Sequence, residues 1–432
     1  MTVEICLGPV KHQTCFAPLA VVGYCFRQSG LLQPLWSQLE IKMKKYDHGA
    51  DEKLQDVLVA IMAGCRSLNQ VNTHLRPERV LAQAWQRVGF AEQSNLSRTL
   101  DALTSEHIAQ LRAGHLRLLQ QHSQLRHHNW EQMLMLDIDP TSLLTSKRAE
   151  GGRKGWVSGQ RNRYCRHVIR FMVAGYHETL LSVAYPGNRH GYEYCKPALH
   201  HLLEQWSWSR HQRQRIIVRS DAEQGTDKNI SYILWQSFQV LMKGYSGRRT
   251  QAWVERTPES RWQADPSDAQ RWGAPAPTEL RLGRRLHAYL LRWRDTKQKM
   301  KHATLLTTLS YPIFRLWSLY DGRGSAEVEI RSDKSGLGLH LRRKQSLDAQ
   351  EAWIILTDVA HNLLAWLHPW MLAGSAFESF GPQRLVQDLL TIPGQVVFAQ
   401  GRLQKVAFWE SHPYADEMRD CLHNLLKTCD LG

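Results

Sequence analysis

The chain has 432 residues, 43% hydrophobic and 22% charged, an ordinary globular composition that suits two or three domains with substantial cores and excludes disorder as the default. Its 55 Lys and Arg against 40 Asp and Glu leave a formal charge of +15, so the expected partner is a polyanion, and nucleic acid is favoured over membrane. The apolar run from Phe16 to Phe26 is too short to span a bilayer and follows no basic leader with a cleavage site, and the cysteines (6, 15, 25, 65, 165, 195, 421 and 429) contain no CxxC pair. The expectation is a cytoplasmic protein with reduced, mostly buried thiols; a Cys165/His167 metal pair is the weaker alternative.

From about residue 51 to 125 apolar positions such as Leu54, Val57, Leu58 and Ile61 recur at helical spacing. The segment RVLAQAWQRVGFAEQSNLSRTLDALT reads as a helix, a turn at Val88-Gly89-Phe90, and a second helix bearing Ser94, Asn95, Ser97, Arg98 and Thr99. Ser97 and Arg98 are its DNA-contact candidates; the competing reading is a plain helical hairpin with Ser94 as N-cap.

Strands follow. MLMLDIDP (133 to 140), RHVIRFMVAG (166 to 175) and ETLLSVAYPG (178 to 187) are apolar runs bounded by turn residues; the helix PALHHLLEQW comes next, then RIIVRSDAEQG (215 to 225) as a strand ending in an acid. This β-β-β-α-β order with acids at strand ends predicts an α/β fold, an RNase H-like mixed sheet with flanking helices that brings carboxylates from separate strands together. Residues 245 to 312, with Pro258, Pro266, Pro275 and Pro277 and the tryptophans 253, 262, 272 and 293, read as an all-β insertion subdomain; aromatics beside Arg249, Arg256, Arg281, Arg284 and Arg285 suit DNA or a small β core equally. The apolar segment SLDAQEAWIILTDVAHNLLAWLH predicts a helix capped at Ser346 or Asp348 that covers the sheet, and the C-terminal stretch a hairpin around Gly401 and a last helix.

Strand alternation puts Asp137 and Asp139 on one face, so both carboxylates can reach one site. A DxD also suits a nucleotide-sugar glycosyltransferase or a strand-end turn. Asp221 ends its own strand. Tyr320, Arg323, Glu327 and Lys334 stand at offsets 0, 3, 7 and 14, within roughly 60° of one another on a helix turning about 100° per residue. An i,i+4 ion pair on a solvated face would also place Arg323 and Glu327 so. Three acids from separate segments, Asp139, Asp221 and Glu327, suit two Mg²⁺ ions, because hard cations take oxygen ligands; Arg323 and Lys334 would grip a phosphodiester and Tyr320 hydrogen-bond a phosphate.

The set resembles the DDE transposases of bacterial insertion sequences, in the superfamily marked by Tyr-x2-Arg-x3-Glu-x6-Lys: residues 320 to 334 match all four positions, IDPTSL around Asp139 and VRSDAEQG around Asp221 look like the first two acid motifs, and the likeness extends over most of 50 to 415. The resemblance favours Asp139 over Asp137; Glu329 and Asp333 are rivals of Glu327. It implies a helical N-terminal DNA-binding region over 1–130, an RNase H-like catalytic domain over 131–244 and 313–380 interrupted by the 245–312 insertion, and a C-terminal region over 381–432. It further implies a homodimer that binds terminal inverted repeats and target double-stranded DNA, Mg²⁺ (Mn²⁺ as substitute), and cleavage with strand transfer, in relatives often through a hairpin helped by an aromatic; Trp253, Trp262, Trp272 and Trp293 are the candidates. The basic end of NISYILWQSFQVLMKGYSGRR adds Arg248 and Arg249 as DNA contacts. A domesticated, inactive DNA-binding protein is the alternative.

Overall fold

The computed structural model describes residues 12–43, 47–157, 159–341 and 343–430. Cys6 lies outside them; Cys25, Cys65, Cys165, Cys195 and Cys421 are buried. Among the described residues no helix is long and apolar enough to cross a membrane. The chain forms two compact units: Ser123–Ile330, and a second that combines the chain through His122 with Arg331 onward.

In chain order the Ser123–Ile330 unit reads β1 (Leu134–Leu144), β2 (Arg153–Val157), β3 (Gln160–Val173), β4 (Glu178–Pro186), α1 (Gly191–Trp206), β5 (Ile216–Ser220), α2 (Asp227–Trp235), β6 (Gln239–Lys243), α3 (Gly247–Glu255), β7 (Gln263–Asp265), β8 (Asp268–Pro275), β9 (Leu280–Leu282), β10 (Arg284–Arg294), β11 (Met300–Thr307) and α4 (Ile313–Asp321). Helix α5 (Gly324–Ser335) begins in this unit and ends in the other. β3 pairs antiparallel with β4 and with β1, β1 parallel with β5, and β5 parallel with β6. That is the RNase H order, antiparallel on one side and parallel on the other.

Why β1 tolerates Pro140 follows from its neighbours. The Leu134 N–H donates towards β5, to Arg215, and every second residue points the same way, so the missing N–H of Pro140 faces β5's side. β5 has already ended there, since Ser220 pairs with Ile138. Asp139 therefore emerges beside the open end of β5, and Asp221 is the next residue after that end.

The insertion is not a separate sheet. β11 pairs antiparallel with β6, and β10, β8 and β7 follow in order, so eleven strands form one sheet. The all-β expectation for 245–312 also needs correction, because α3 opens the segment; Ser246 caps it by accepting from the Arg249 N–H. Helix α1 starts at Gly191, ahead of the expected PALHH start, and contains Pro197; the Glu223 carboxylate accepts the Gly191 N–H at 2.7 Å. α4 lays Ile313, Leu316, Trp317 and Tyr320 against Ile217, Leu241, Leu291 and Leu305. α5 sets Ala326 and Ile330 on Met172 of β3.

The other unit is largely helical. Its centre is the helix Leu347–Leu367, capped by Ser346 as expected and buried along nearly all its length. Within this unit it packs on helices Ser105–His122, Ala50–Met62 and Gln93–Asp101, as a helix apolar all round needs neighbours on several sides. The hairpin Gly394–Ala399 with Arg402–Phe408 turns at Gly401, whose φ of 75° favours glycine.

Candidate active site

Neighbouring strands align the first groups, and Asp139 lies in the middle of β1, which runs on to Leu144 past the expected end at Pro140. The register Ile138↔Ser220 and Ser220↔Met242 puts Asp139 (β1), Asp221 (just past β5) and Lys243 (the end of β6) level across three neighbouring strands. Asp221 holds its own turn, accepting the Glu223 N–H at 3.0 Å.

The two acids of the DxD do different work. Asp137 is fully buried and takes a two-pronged contact from Arg219, at 2.6 and 2.8 Å. Arg219 also donates to the Leu319 carbonyl at 2.6 Å, one of the acceptors that α4 leaves open at its C-terminus. Asp137 thus braces the end of the helix that precedes Arg323, and it is not available as half of a glycosyltransferase DxD. Asp139 instead accepts from Arg323 at 2.9 Å, and a second Arg323 N–H donates to Glu327.

Arg323 therefore bridges Asp139 and Glu327. Burial pushes the Asp139 carboxyl up to about 7, against the pull of Arg323 and with the nearby Asp221, Glu327 and Asp137 carboxylates adding to the rise. Asp221 is raised as well, by burial first, with Arg323 opposing. The rival acids have other partners: Glu329 is buried and meets His177 at 2.6 Å, and Asp333 is buried and meets His361 at 2.9 Å.

The single stripe over 320–334 needs correction. α4 ends at Asp321 and α5 begins at Gly324, with Gly322 and Arg323 as the joint. Tyr320 is 3% exposed and packs in the core; its ring lies 5.6 Å from the Arg323 guanidinium, and burial pushes its hydroxyl up to about 12. It backs Arg323 from behind instead of sharing an exposed face with it. Lys334 is half-buried in the last turn of α5, beyond the unit boundary.

Lys243 is a residue that motif reading missed. Its Nζ sits 4.8 Å from the Tyr320 ring centre and 5.2 Å from that of Trp293, and burial lowers its pKa, with Asp321, Asp221 and Glu327 opposing and Arg323 reinforcing. No carboxylate lies within ion-pair distance of it among the described residues. The available signal was that QVLMK ends a strand just as VRSD does. Of the four tryptophans, Trp253 is buried, Trp262 and Trp272 flank Arg292 at 4.3 and 5.3 Å, and Trp293 alone touches Lys243.

Several of the remaining candidates have partners of their own. On α3, Arg248 is exposed, whereas Arg249 is held by Asp227 through two contacts of 2.9 Å. In the other unit Lys344 donates to the Ser97 hydroxyl at 2.8 Å, and Arg98 is exposed. The Cys165 and His167 side chains are 3.8 Å apart, but His167 also meets the Gly187 carbonyl at 3.0 Å.

Among the described residues no three His, Cys, Asp or Glu side chains are close enough to hold a metal ion. The donor chemistry still fits hard divalent cations: Asp139 and Glu327 offer carboxylate oxygens to one shared cation, which here is the guanidinium of Arg323.

The family described as transposase DDE domain group 1 matches residues 14–429. The chain belongs to this family of transposases. No curated protein matches the transposase chain in sequence. Among solved structures it is similar to the piggyBac transposase in a synaptic complex with hairpin DNA, at 11% identity and TM-score 0.46 over 89% of this chain and 82% of that one. It is also similar to a pre-cleavage Mos1 transpososome, at 12% identity and TM-score 0.18 over 46% of this chain and 60% of that one.

Proposed function

We propose that the chain is the cut-and-paste transposase of a bacterial insertion sequence, which binds the element's terminal inverted repeats as a homodimer, cleaves there and joins the ends to target DNA. The observation that carries this reading is the Arg323 bridge between Asp139 and Glu327, set beside Asp221 at the end of β5. Acting on chromosomal DNA would place the protein in the cytoplasm, on the nucleoid when bound.

Asp139, Asp221 and Glu327 would hold two Mg²⁺ ions, with Mn²⁺ as substitute. Such a pair, when bound, supplies Lewis acidity that activates an attacking water or 3′-hydroxyl and steadies the departing oxygen. Release from the two carboxylates would free the Arg323 fork for the phosphodiester, a geometry guanidinium matches well. Tyr320 keeps that guanidinium in place from the core side. Lys243 offers an unpaired ammonium at the same strand ends for a second phosphate oxygen. Trp293, beside Lys243, would be the tryptophan that stacks on a base if a hairpin forms.

The test is cleavage of duplexes bearing the terminal repeat. Asp139→Asn, Asp221→Asn and Glu327→Gln should each abolish Mg²⁺-dependent cutting and leave DNA binding nearly intact. Cutting that survives all three changes would overturn the assignment; binding by the parent chain with no nicking in Mg²⁺ or Mn²⁺ would make it an inactive, domesticated DNA-binding protein.

A further inference from the structure

Residues 147 to 164, KRAEGGRKGWVSGQRNRY, carry six cations and one acid. They include β2 and the start of β3, which pair antiparallel at Arg153↔Cys165, Lys154↔Tyr164 and Gly155↔Arg163. β1 and β4 join β3 only from Cys165 and Arg166 onward, so this stretch is a two-stranded ribbon. Arg153, Lys154, Arg161 and Arg163 are exposed, and none has a carboxylate partner among the described residues. The one acid, Glu150, has Arg166 as its electrostatic neighbour.

The aromatics on the ribbon are also arranged for use. Trp156 is 53% exposed with Arg161 lying 5.6 Å over its ring, and Lys154 lies 6.0 Å from the Tyr164 ring centre. A solvated strand has no reason to keep a large indole in water beside unpaired guanidinium groups. Interspersed acids would make the ribbon an ordinary soluble edge; their absence makes it a polyanion surface.

We infer that the β2–β3 ribbon is a duplex-DNA docking element, in which Arg153, Lys154, Arg161 and Arg163 engage phosphates and Trp156 packs against the sugar-phosphate edge. A two-stranded ribbon has the width that the major groove admits. The ribbon is tied to the catalytic strand: Ser142 donates its hydroxyl to the Trp156 carbonyl at 3.1 Å. Ser142 lies three positions beyond Asp139 on β1, about 10 Å along the strand. A duplex held by both would therefore meet them within one helical turn, about 34 Å.

This inference rests on the DNA-processing reading but not on its chemistry, so binding tests it separately. The probe is a generic 40-base-pair duplex titrated by fluorescence anisotropy across a salt series without divalent metal, using the parent chain, the double variant Arg161→Gln/Arg163→Gln, the double variant Arg161→Lys/Arg163→Lys, and Trp156→Ala. The Gln pair should lower the slope of log K against log salt by about two, the Lys pair should keep the parent slope, and Trp156→Ala should weaken binding roughly fivefold with the slope unchanged. Thermal melting of all three should match the parent, since these side chains are exposed. On terminal-repeat DNA, hydroxyl-radical protection lost in the Gln pair should fall within one turn of the cleavage point. An unchanged slope in the Gln pair overturns the assignment. A protein that cuts nothing in Mg²⁺ yet shows the two-unit change keeps the ribbon and loses the transposase chemistry.

Discussion

Arg323 donates to Asp139 at 2.9 Å across 184 positions of chain, and the same guanidinium donates to Glu327 one helical turn further on. One side chain thus meets both a buried carboxylate, Asp139, and an exposed one, Glu327, and does so from the joint between two helices instead of from either helix. That joint is held in turn by Arg219, which binds Asp137 and the Leu319 carbonyl. The DxD is in this sense an asymmetric pair: one acid fixes the frame and the other faces the bridge.

Removing the guanidinium should expose how much the acids repel. Arg323→Ala leaves Asp139 and Glu327 near Asp221 without their shared partner, and the expected loss in metal-free buffer is about 1–3 kcal/mol. Millimolar Mg²⁺ should recover part of it, because a ligand that binds only the folded protein stabilises it. Urea unfolding with EDTA and with Mg²⁺ gives both values; equal stability of variant and parent in EDTA would deny the bridge this role.

The Asp139 carboxyl sets a pH dependence. Its folded value of about 7 stands above the ordinary carboxylate range near 4, so the folded protein holds this proton more tightly than the unfolded chain. The contribution is fully present below about pH 4 and is lost as pH rises through 7. Asp139→Asn keeps a neutral side chain at every pH and should stabilise the metal-free protein by about 1–2 kcal/mol at pH 8, after allowance for the weakened Arg323 contact, and by far less at pH 5. Thermal unfolding at the two pH values measures the difference; a variant no more stable at pH 8 than at pH 5, relative to the parent, contradicts it.

Part of this arrangement is legible in the sequence. Asp221 shows as a strand-end acid because an apolar run is a local signal, whereas Asp139 reads as one only because Pro140 is a strand-closing signal, in a strand that in fact continues to Leu144. Lys243 was not legible, since its place beside Asp221 depends on the parallel register Ser220↔Met242, which no local pattern specifies. The stripe of four fails for a related reason: offsets of 3 and 7 assume one continuous helix, and Gly322 with Arg323 interrupts it. The helix Leu347–Leu367 was found with its cap, yet hydropathy cannot say whether an all-apolar helix lies on a sheet or within a bundle.

Tyr320 separates packing from contact with DNA. Its ring fills the core beneath α4, and its hydroxyl lies on the Arg323 side. Tyr320→Phe should change stability by less than about 1 kcal/mol, whereas Tyr320→Ala should cost about 3–5 kcal/mol by opening a cavity. With the hydroxyl buried, the Phe variant should bind terminal-repeat DNA as the parent does. A tenfold fall in its affinity would instead make the hydroxyl a phosphate contact.

Lys243 gives the sharpest contrast between stability and chemistry. Its ammonium is largely withdrawn from water over two aromatic rings, and burial already disfavours the charge. Lys243→Met has similar length and no charge to desolvate, so it should fold at least as stably as the parent. A residue kept only for packing would then leave activity untouched. If the ammonium instead meets a phosphate oxygen at the ends of β5 and β6, cleavage of terminal-repeat DNA should fall roughly 10- to 100-fold, the worth of one charge-assisted hydrogen bond of about 1.5–3 kcal/mol. Lys243→Arg should recover only part, because a planar guanidinium presents its donors in a fixed fork and not as a compact point charge. Single-turnover cleavage beside urea unfolding decides the matter: a Met variant that is stable and fully active leaves Lys243 without a part in the reaction.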